Sequence, residues 1–387
     1  MSAPNTTTLP GPTPPGRPAS AGHDTERTAP GDHADDLADA APLRVAQIGR
    51  FIVLRRLGAG GMGVVYLAYD NQLDRRVAVK LIRSLGAPHP ETTARMRREA
   101  QAMARLSHPN VLQIYEVGAS DGALFLAMEY VRGGSLAAWL ARRDPAAVAD
   151  WRATVAMFVQ AGRGLAAAHQ AGLVHRDFKP DNVMIGDDGR VRVMDFGLAR
   201  ALDKPEGEQP GDLLQTHENL LSPTLTADGT LLGTPAYMAP EQYGRGAVDA
   251  LSDQFAYCVA LFEALHGQRP FAGDNLRSLA ASVKRGEIRE PPRRGVPRWL
   301  RALILRGLAV DPAQRWPGMP ALLARIERGQ ALHRLRLAGV ALAGLTLLAA
   351  GAWGLHQADQ ARRAAACEAA GATIDEVWND DARARVR

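Results

Sequence analysis

Cysteine is nearly absent from this chain: its 387 residues include two, Cys258 and Cys367, far apart. That excludes a disulfide framework and a cysteine-ligated metal site. Aromatic residues make up 5% of the sequence, and no dense run of Lys and Arg is interleaved with them. The net charge of +5 comes mostly from scattered arginines, so a nucleic-acid partner is not expected. No basic end followed by an apolar core opens the chain, so a signal peptide is not expected either. Residues 1–47 are instead rich in Pro, Ala, Thr, Gly and Asp, the composition of a disordered tail. The chain as a whole is 46% hydrophobic and, at 387 residues, long enough for one large or two ordinary domains with a full core.

What the sequence does have is concentrated in His175-Arg176-Asp177-Phe178-Lys179-Pro180-Asp181-Asn182 and in Asp195-Phe196-Gly197. Two apolar runs, Val183-Met184-Ile185 and Val191-Arg192-Val193-Met194, flank an Asp187-Asp188-Gly189 turn. A hairpin there would bring Asn182 and Asp195 to one end of two paired strands, beside the loop carrying Asp177 and Lys179. Such a site can hold metal ions against a polyphosphate and aim a carboxylate at an incoming hydroxyl.

Upstream, Gly58-Ala59-Gly60-Gly61-Met62-Gly63 runs into Val64-Val65-Tyr66-Leu67-Ala68-Tyr69. A dinucleotide-binding turn would need its last glycine to open a helix, whereas this one opens a β-branched and aromatic run. A glycine loop between two strands lets backbone N–H groups approach phosphates, although a plain glycine-rich hairpin has the same pattern. Val77-Ala78-Val79-Lys80 then reads as a short buried strand ending in a lysine, which needs an anionic partner. Glu99, on an amphipathic helix spanning Arg95–Leu106, is the expected partner. Val111–Ile114 and Leu124–Met128 read as a strand pair, and Glu129-Tyr130-Val131 with Gly133-Gly134 as a hinge into a mainly helical half.

In this order, and with Ala239-Pro240-Glu241 following, the motifs resemble those of the eukaryotic-like Ser/Thr protein kinases of bacteria over about Ile48–Glu327. The resemblance implies an α+β, bilobal kinase fold: a small β-rich lobe with one helix and a larger helical lobe. It implies ATP under Gly58, Gly60 and Gly63, with adenine between Val65 and Ala78 above and Met184 below. Backbone groups of Glu129 and Val131 would read its edge, with Met128 at the back of the pocket. Lys80 would grip the α- and β-phosphates, held by Glu99, while Asn182 and Asp195 carry Mg2+ or Mn2+. Asp177 would accept the substrate hydroxyl proton and Lys179 neutralise the γ-phosphate. Lys179 and Thr234, the latter bonded to Asp177 and Lys179, mark the Ser/Thr class. Met103, Ile114, His175 and Phe196 would stack as a column, Asp253 would brace the catalytic loop, and Arg315 would pair with Glu241. Arg176 would receive a phosphate from Thr224, Thr226 or Thr230, in a segment lengthened by a polar, acidic insert from about Leu202 to Thr226. The activity implied is that of an ATP-dependent, non-specific serine/threonine protein kinase acting on proteins and on itself. A nucleotide-binding scaffold without catalysis is the rival, and an altered Lys80, Asp177 or Asp195 would have favoured it.

Near the end of the chain Leu337–Leu355 contains no charged residue. At 1.5 Å each, its residues span roughly 28 Å, close to the hydrocarbon thickness of a bilayer. A buried or partner-binding helix would also fit. Arg325, Arg328, Arg334 and Arg336 precede it, against Arg362 and Arg363 after it, which orients the preceding domain to the cytoplasm. The expected layout is a tail (1–47), a kinase domain (48–328), a basic juxtamembrane segment (329–336), a transmembrane helix (337–355) and a short extracytoplasmic tail (356–387). This is a single-pass protein of the inner membrane, with homodimers phosphorylating in trans as the expected self-partner.

Overall fold

Short apolar runs rich in β-branched residues, separated by polar turns, build the first half of the chain into a sheet. In the computed structural model, which describes residues 47–60, 63–82, 90–120, 122–143, 151–196, 234–244, 246–290, 295–377 and 384–385, six strands form one antiparallel sheet. They are β1 (Gln47–Ile48), β2 (Phe51–Gly60), β3 (Gly63–Asp70), β4 (Arg75–Ile82), β5 (Ile114–Ser120) and β6 (Ala123–Glu129), in the order β1-β2-β3-β4-β6-β5. Side chains of a strand alternate between faces. One face therefore buries Ile48, Phe51, Val53, Val77, Val79 and Phe125 as a separate small core, with Phe51 edge-on to Phe125 at 5.9 Å. The other face carries Ala78, Leu126 and Met128, which join the main core below.

A helix, α1 (Pro90–Ala104), packs on β5, with Ala100 and Met103 buried. The expected strand at Val111–Ile114 is corrected: β5 begins at Ile114, and Val111 makes only an isolated parallel bridge to Val193. The cause is competition for backbone groups. Val193 N donates to Asn110 O at 3.0 Å and Leu112 N donates to Val193 O at 2.9 Å, which ties 110–112 to the lower sheet.

That lower sheet has three strands, β7 (Gly133–Ser135), β8 (Val183–Gly186) and β9 (Val191–Val193). The expected hairpin is present, turning at Gly189 with φ +71°, a conformation that favours glycine. Around it lie α2 (Leu136–Ala141), α3 (Trp151–Gln170), α4 (Ala250–His266), α5 (Leu276–Arg285) and α6 (Arg298–Gly307). Helix α4 is capped by Asp249, which accepts from Leu251 N, and ends on Gly267 in the left-handed region. Thirteen of its residues are buried, so it is the central helix of the lobe and not an amphipathic cover.

The last helix, α7, runs unbroken from Met319 to Val377. Its first turns bury Met319, Leu322, Leu323 and Ile326 against the lobe. Residues 329–336, the expected basic juxtamembrane segment, lie within this helix.

Candidate active site

The loop between α3 and β8 owes its shape to Asp253. This carboxylate, 1% exposed in the first turn of α4, accepts from His175 N and Arg176 N, both at 2.7 Å, and meets His169 Nε2 at 2.8 Å. Arg176 sits at φ +65°, a conformation that costs a non-glycine residue on the order of 1–3 kcal/mol. Both of its backbone groups are fixed: its N–H by Asp253 and its carbonyl by Gln242 Nε2 at 3.0 Å. The buried His175 adds a hydrogen bond from its ring to Met194 O at 2.9 Å. The loop is therefore tied both to α4 and to the residue before Asp195.

Asp177 follows directly. Its carboxylate meets Lys179 Nζ at 3.3 Å and accepts from Asn182 Nδ2 at 3.2 Å, while its backbone carbonyl accepts from the same amide at 2.8 Å. Met194 N donates to Asn182 O at 2.9 Å, so the strand pair brings Asn182 beside Asp195. Asp195 is itself in the left-handed region at φ +59°.

Lys80 departs from the sequence expectation. Its Nζ lies 2.7 Å from Asp195 Oδ1, and the Lys80–Glu99 pair is not formed. Glu99 is half-buried on α1. A lysine only 6% exposed requires an anion, and with Asp195 at hand it takes the nearer carboxylate.

The donor set suits a hard divalent cation. The Asn182 amide nitrogen is spent on Asp177, which leaves its Oδ1 as the group's acceptor and potential oxygen ligand, and Asp195 keeps Oδ2 beyond its lysine contact. No cluster of three or more His, Cys, Asp or Glu is present among the described residues, so phosphate oxygens and water would complete such a coordination shell.

The nucleotide-facing residues also come together. Val65 pairs with Lys80 across β3 and β4, and Ala78 with Met128 across β4 and β6, so these four share one face of the sheet. Met184 lies on β8 opposite Ser135. Glu129 N donates to Gln113 O at 2.9 Å, which reduces its edge-reading group to its carbonyl. In the glycine hairpin Gly58 pairs with Val65 and Gly60 with Gly63. A Cβ on Gly58 or Gly60 would meet nothing within 4 Å, whereas one on Gly63, at φ +146°, would stand 2.0 Å from Leu81 O. Gly63 is therefore fixed by the fold, and Gly58 and Gly60 leave the approach open.

Met103, Ile114, His175 and Phe196 are all buried, with the His175 and Phe196 rings 4.7 Å apart. A cavity of about 20 Å³ behind Met128, also lined by Met103, Ile114, Leu126 and Phe196, holds no more than a water. Gly61, Met62, Gly197, Thr224, Thr226 and Thr230 lie outside the described residues. Thr234 opens the short 3-10 turn Thr234–Tyr237, and its side chain is likewise outside them.

Sequence reasoning missed three supports. Arg192, 4% exposed, bonds Glu129 Oε1 at 2.8 Å and Asp188, and so ties the hinge to β9. Gln242 clamps Arg176, and His169 adds to Asp253. An arginine flanked by two valines in a strand was the one legible signal, because a charge on a buried strand requires acids.

The Arg315–Glu241 pair forms as expected, with two contacts of 2.8 and 2.9 Å, and Arg315 is 2% exposed. Burial would raise the Glu241 carboxyl, but hydrogen bonds from Arg315 and Ser252 outweigh it and hold the group below its ordinary value. Replacing Arg315 with Met is expected to cost roughly 3–5 kcal/mol in denaturant unfolding, because Glu241 is left charged and buried. A loss below about 1 kcal/mol would contradict this assignment.

Beyond the lobe, α7 exposes Val340, Leu342, Leu345, Leu347, Leu348 and Trp353, each more than 60%. By length and composition this helix could cross a membrane, and none of its apolar window is buried in the protein. A run this apolar and this exposed needs a cover.

Residues 51–324 match the family model of the protein kinase domain. The serine/threonine-protein kinase PknL of Mycobacterium tuberculosis is 36% identical over 292 residues, covering 74% of this chain and 67% of PknL. PrkC of Bacillus subtilis is 36% identical over 74% of this chain and 41% of its own length. The crystal structure of the Mycobacterium tuberculosis PknI kinase domain superposes with a TM-score of 0.54 at 26% identity, covering 75% of this chain and 99% of that one. The curated relatives are thus matched over part of their length, and the match falls on the two lobes described above. The chain belongs to the protein kinase family, as a eukaryotic-like serine/threonine kinase of the bacterial type.

Proposed function

We propose that this protein transfers the γ-phosphate of ATP to Ser and Thr hydroxyls of proteins, and to its own activation segment, from the cytoplasmic face of a membrane. The observation that carries this is Asp177, held by Lys179 and Asn182 on a loop hung from Asp253, with Asp195 and Lys80 paired alongside. Asp177 orients the acceptor hydroxyl and takes its proton as the new P–O bond forms and the bond from the γ-phosphorus to the β–γ bridging oxygen breaks, releasing ADP. Lys179 offsets charge on the transferring phosphoryl group. Lys80 turns from Asp195 to the α- and β-phosphates when ATP binds, and Glu99 holds it there. Asn182 and Asp195 would hold Mg2+, or Mn2+ in its place, which would supply charge neutralisation at the phosphates.

Arg176 is exposed, and its guanidinium has no partner among the described residues. It suits the added charge of a phosphorylated Thr224, Thr226 or Thr230. Homodimers supply that phosphate in trans. The exposed apolar run of α7 supplies the membrane anchor.

The test uses the full chain in detergent with Mg2+, ATP and a mixed protein acceptor, followed by phosphoamino-acid analysis. Phosphoserine and phosphothreonine are expected. Phosphotyrosine as the main product would overturn the Ser/Thr assignment.

A further inference from the structure

Helix α7 leaves no slack between lobe and membrane. Its docked part is held to α3 by Arg163–Glu327 at 2.8 Å, and to the Trp151 ring by His333 at a centroid distance of 5.5 Å. Arg152 Nη2 lies 3.2 Å from His333 Nε2. Gly329 seats so closely on Trp299 that a Cβ would stand 2.3 Å from its ring, and Trp299 in turn lies edge-on to Trp151 at 5.9 Å. The last docked residue, His333, is therefore four residues, or about 6 Å, from Leu337, where the uncharged run begins. The headgroup layer is itself on the order of 5–7 Å deep on each side of the hydrocarbon. A helix that spans the bilayer at an ordinary tilt then places the pole of the lobe around Trp151, Trp299 and His333 against the headgroups.

The chemistry of that pole matches. Arg152, Arg298, Arg334 and Arg336 are exposed there, and Leu332 and Leu335 are 57% and 68% exposed. On α7 between Met319 and Leu337 the one acidic residue is Glu327, and it is committed to Arg163. Arginines interleaved with exposed leucines at this depth suit anionic phosphate above hydrocarbon.

The geometry points to an interaction surface for anionic phospholipid headgroups at this pole, with the kinase lobe docked flush on the bilayer and not suspended on a flexible linker. This rests on the reading of α7 as membrane-spanning.

The experiment uses the full chain with Cys367→Ser. Cys258 can remain, since it is buried and its thiol is pushed up to about 12, which leaves it unreactive toward labels. A fluorophore is placed at Ala331→Cys on exposed α7 or, as a control, at Leu73→Cys in the β3–β4 turn. The protein is reconstituted in phosphatidylcholine, with or without phosphatidylglycerol, containing headgroup spin-labelled lipid as quencher. The label at 331 is expected to be quenched in both lipids and the label at 73 in neither. A flexible Gly/Ser insertion between Arg336 and Leu337 is expected to cut quenching at 331 by roughly threefold or more in phosphatidylcholine and to leave it with phosphatidylglycerol. Carbonate extraction separates the two readings. Release of the chain from the membrane would remove the spanning helix and this inference with it. A resistant chain unquenched at 331 overturns the flush docking, and an insertion variant equal in both lipids overturns headgroup recognition in favour of a protein partner.

Discussion

Replacing Asp177 with Asn is expected to lower phosphoryl transfer by roughly 10²–10⁴-fold while leaving ATP affinity unchanged. The substitution preserves shape, and the backbone carbonyl that accepts from Asn182 Nδ2 is untouched, so the loop should keep its fold. What is lost is the carboxylate that takes the hydroxyl proton, and with it the charge that faces Lys179 Nζ at 3.3 Å. Single-turnover transfer and calorimetric ATP binding, measured on the same preparation, separate the two effects. A transfer rate within about tenfold of the wild type would remove Asp177 from the chemistry.

The second large effect concerns Asp253, which touches no substrate. In Asp253→Ala, His175 N and Arg176 N lose their acceptor in a buried site, each at a cost of about 1–3 kcal/mol, and His169 loses its partner as well. Nothing then holds Arg176 at φ +65° except Gln242. The expected outcome is a loss of roughly 3–5 kcal/mol in denaturant unfolding, a large part of the 5–15 kcal/mol typical of a domain, together with loss of transfer. Asp253→Asn retains one acceptor oxygen but turns an NH2 donor toward the other amide. It should be intermediate in stability, because one of the two amides keeps its bond. An Ala variant as stable as the wild type would show that water replaces the carboxylate, and that Asp253 does not shape the loop.

Much of this arrangement could be read from residue order, because its physics is local or motif-bound. The β-branched run of β3 and the Asp187-Asp188-Gly189 turn follow from short-range rules, and the turn places Asn182 and Asp195 together. The Asp253 and Arg315 contacts span 78 and 74 positions, and the family resemblance made them legible where spacing could not. Lys80 meets Asp195 in this structure and not the expected Glu99, because two carboxylates compete for it. Sequence shows both Glu99 and Asp195, and only the fold decides which one is near. The strand at Val111–Ile114 was misplaced because its apolar pattern fits either sheet, and the bonds of Asn110 and Leu112 to Val193 took it to the lower one. The unbroken α7 was hidden for another reason. Residues 329–336 read as a basic juxtamembrane segment, and nothing in their order shows that Gly329 and His333 turn one side of it onto two tryptophans.

The central claim is that Asp177, in this loop, drives transfer to Ser and Thr. The most direct measurement is mass-spectrometric mapping of phosphate on the full chain after incubation with ATP and Mg2+, wild type beside Asp177→Asn. Phosphate on Thr224, Thr226 or Thr230 in the wild type, and on none of them in the variant, is the predicted result. Equal phosphorylation of the two proteins, or none on either while both bind ATP, would contradict it and leave a nucleotide-binding scaffold as the better description.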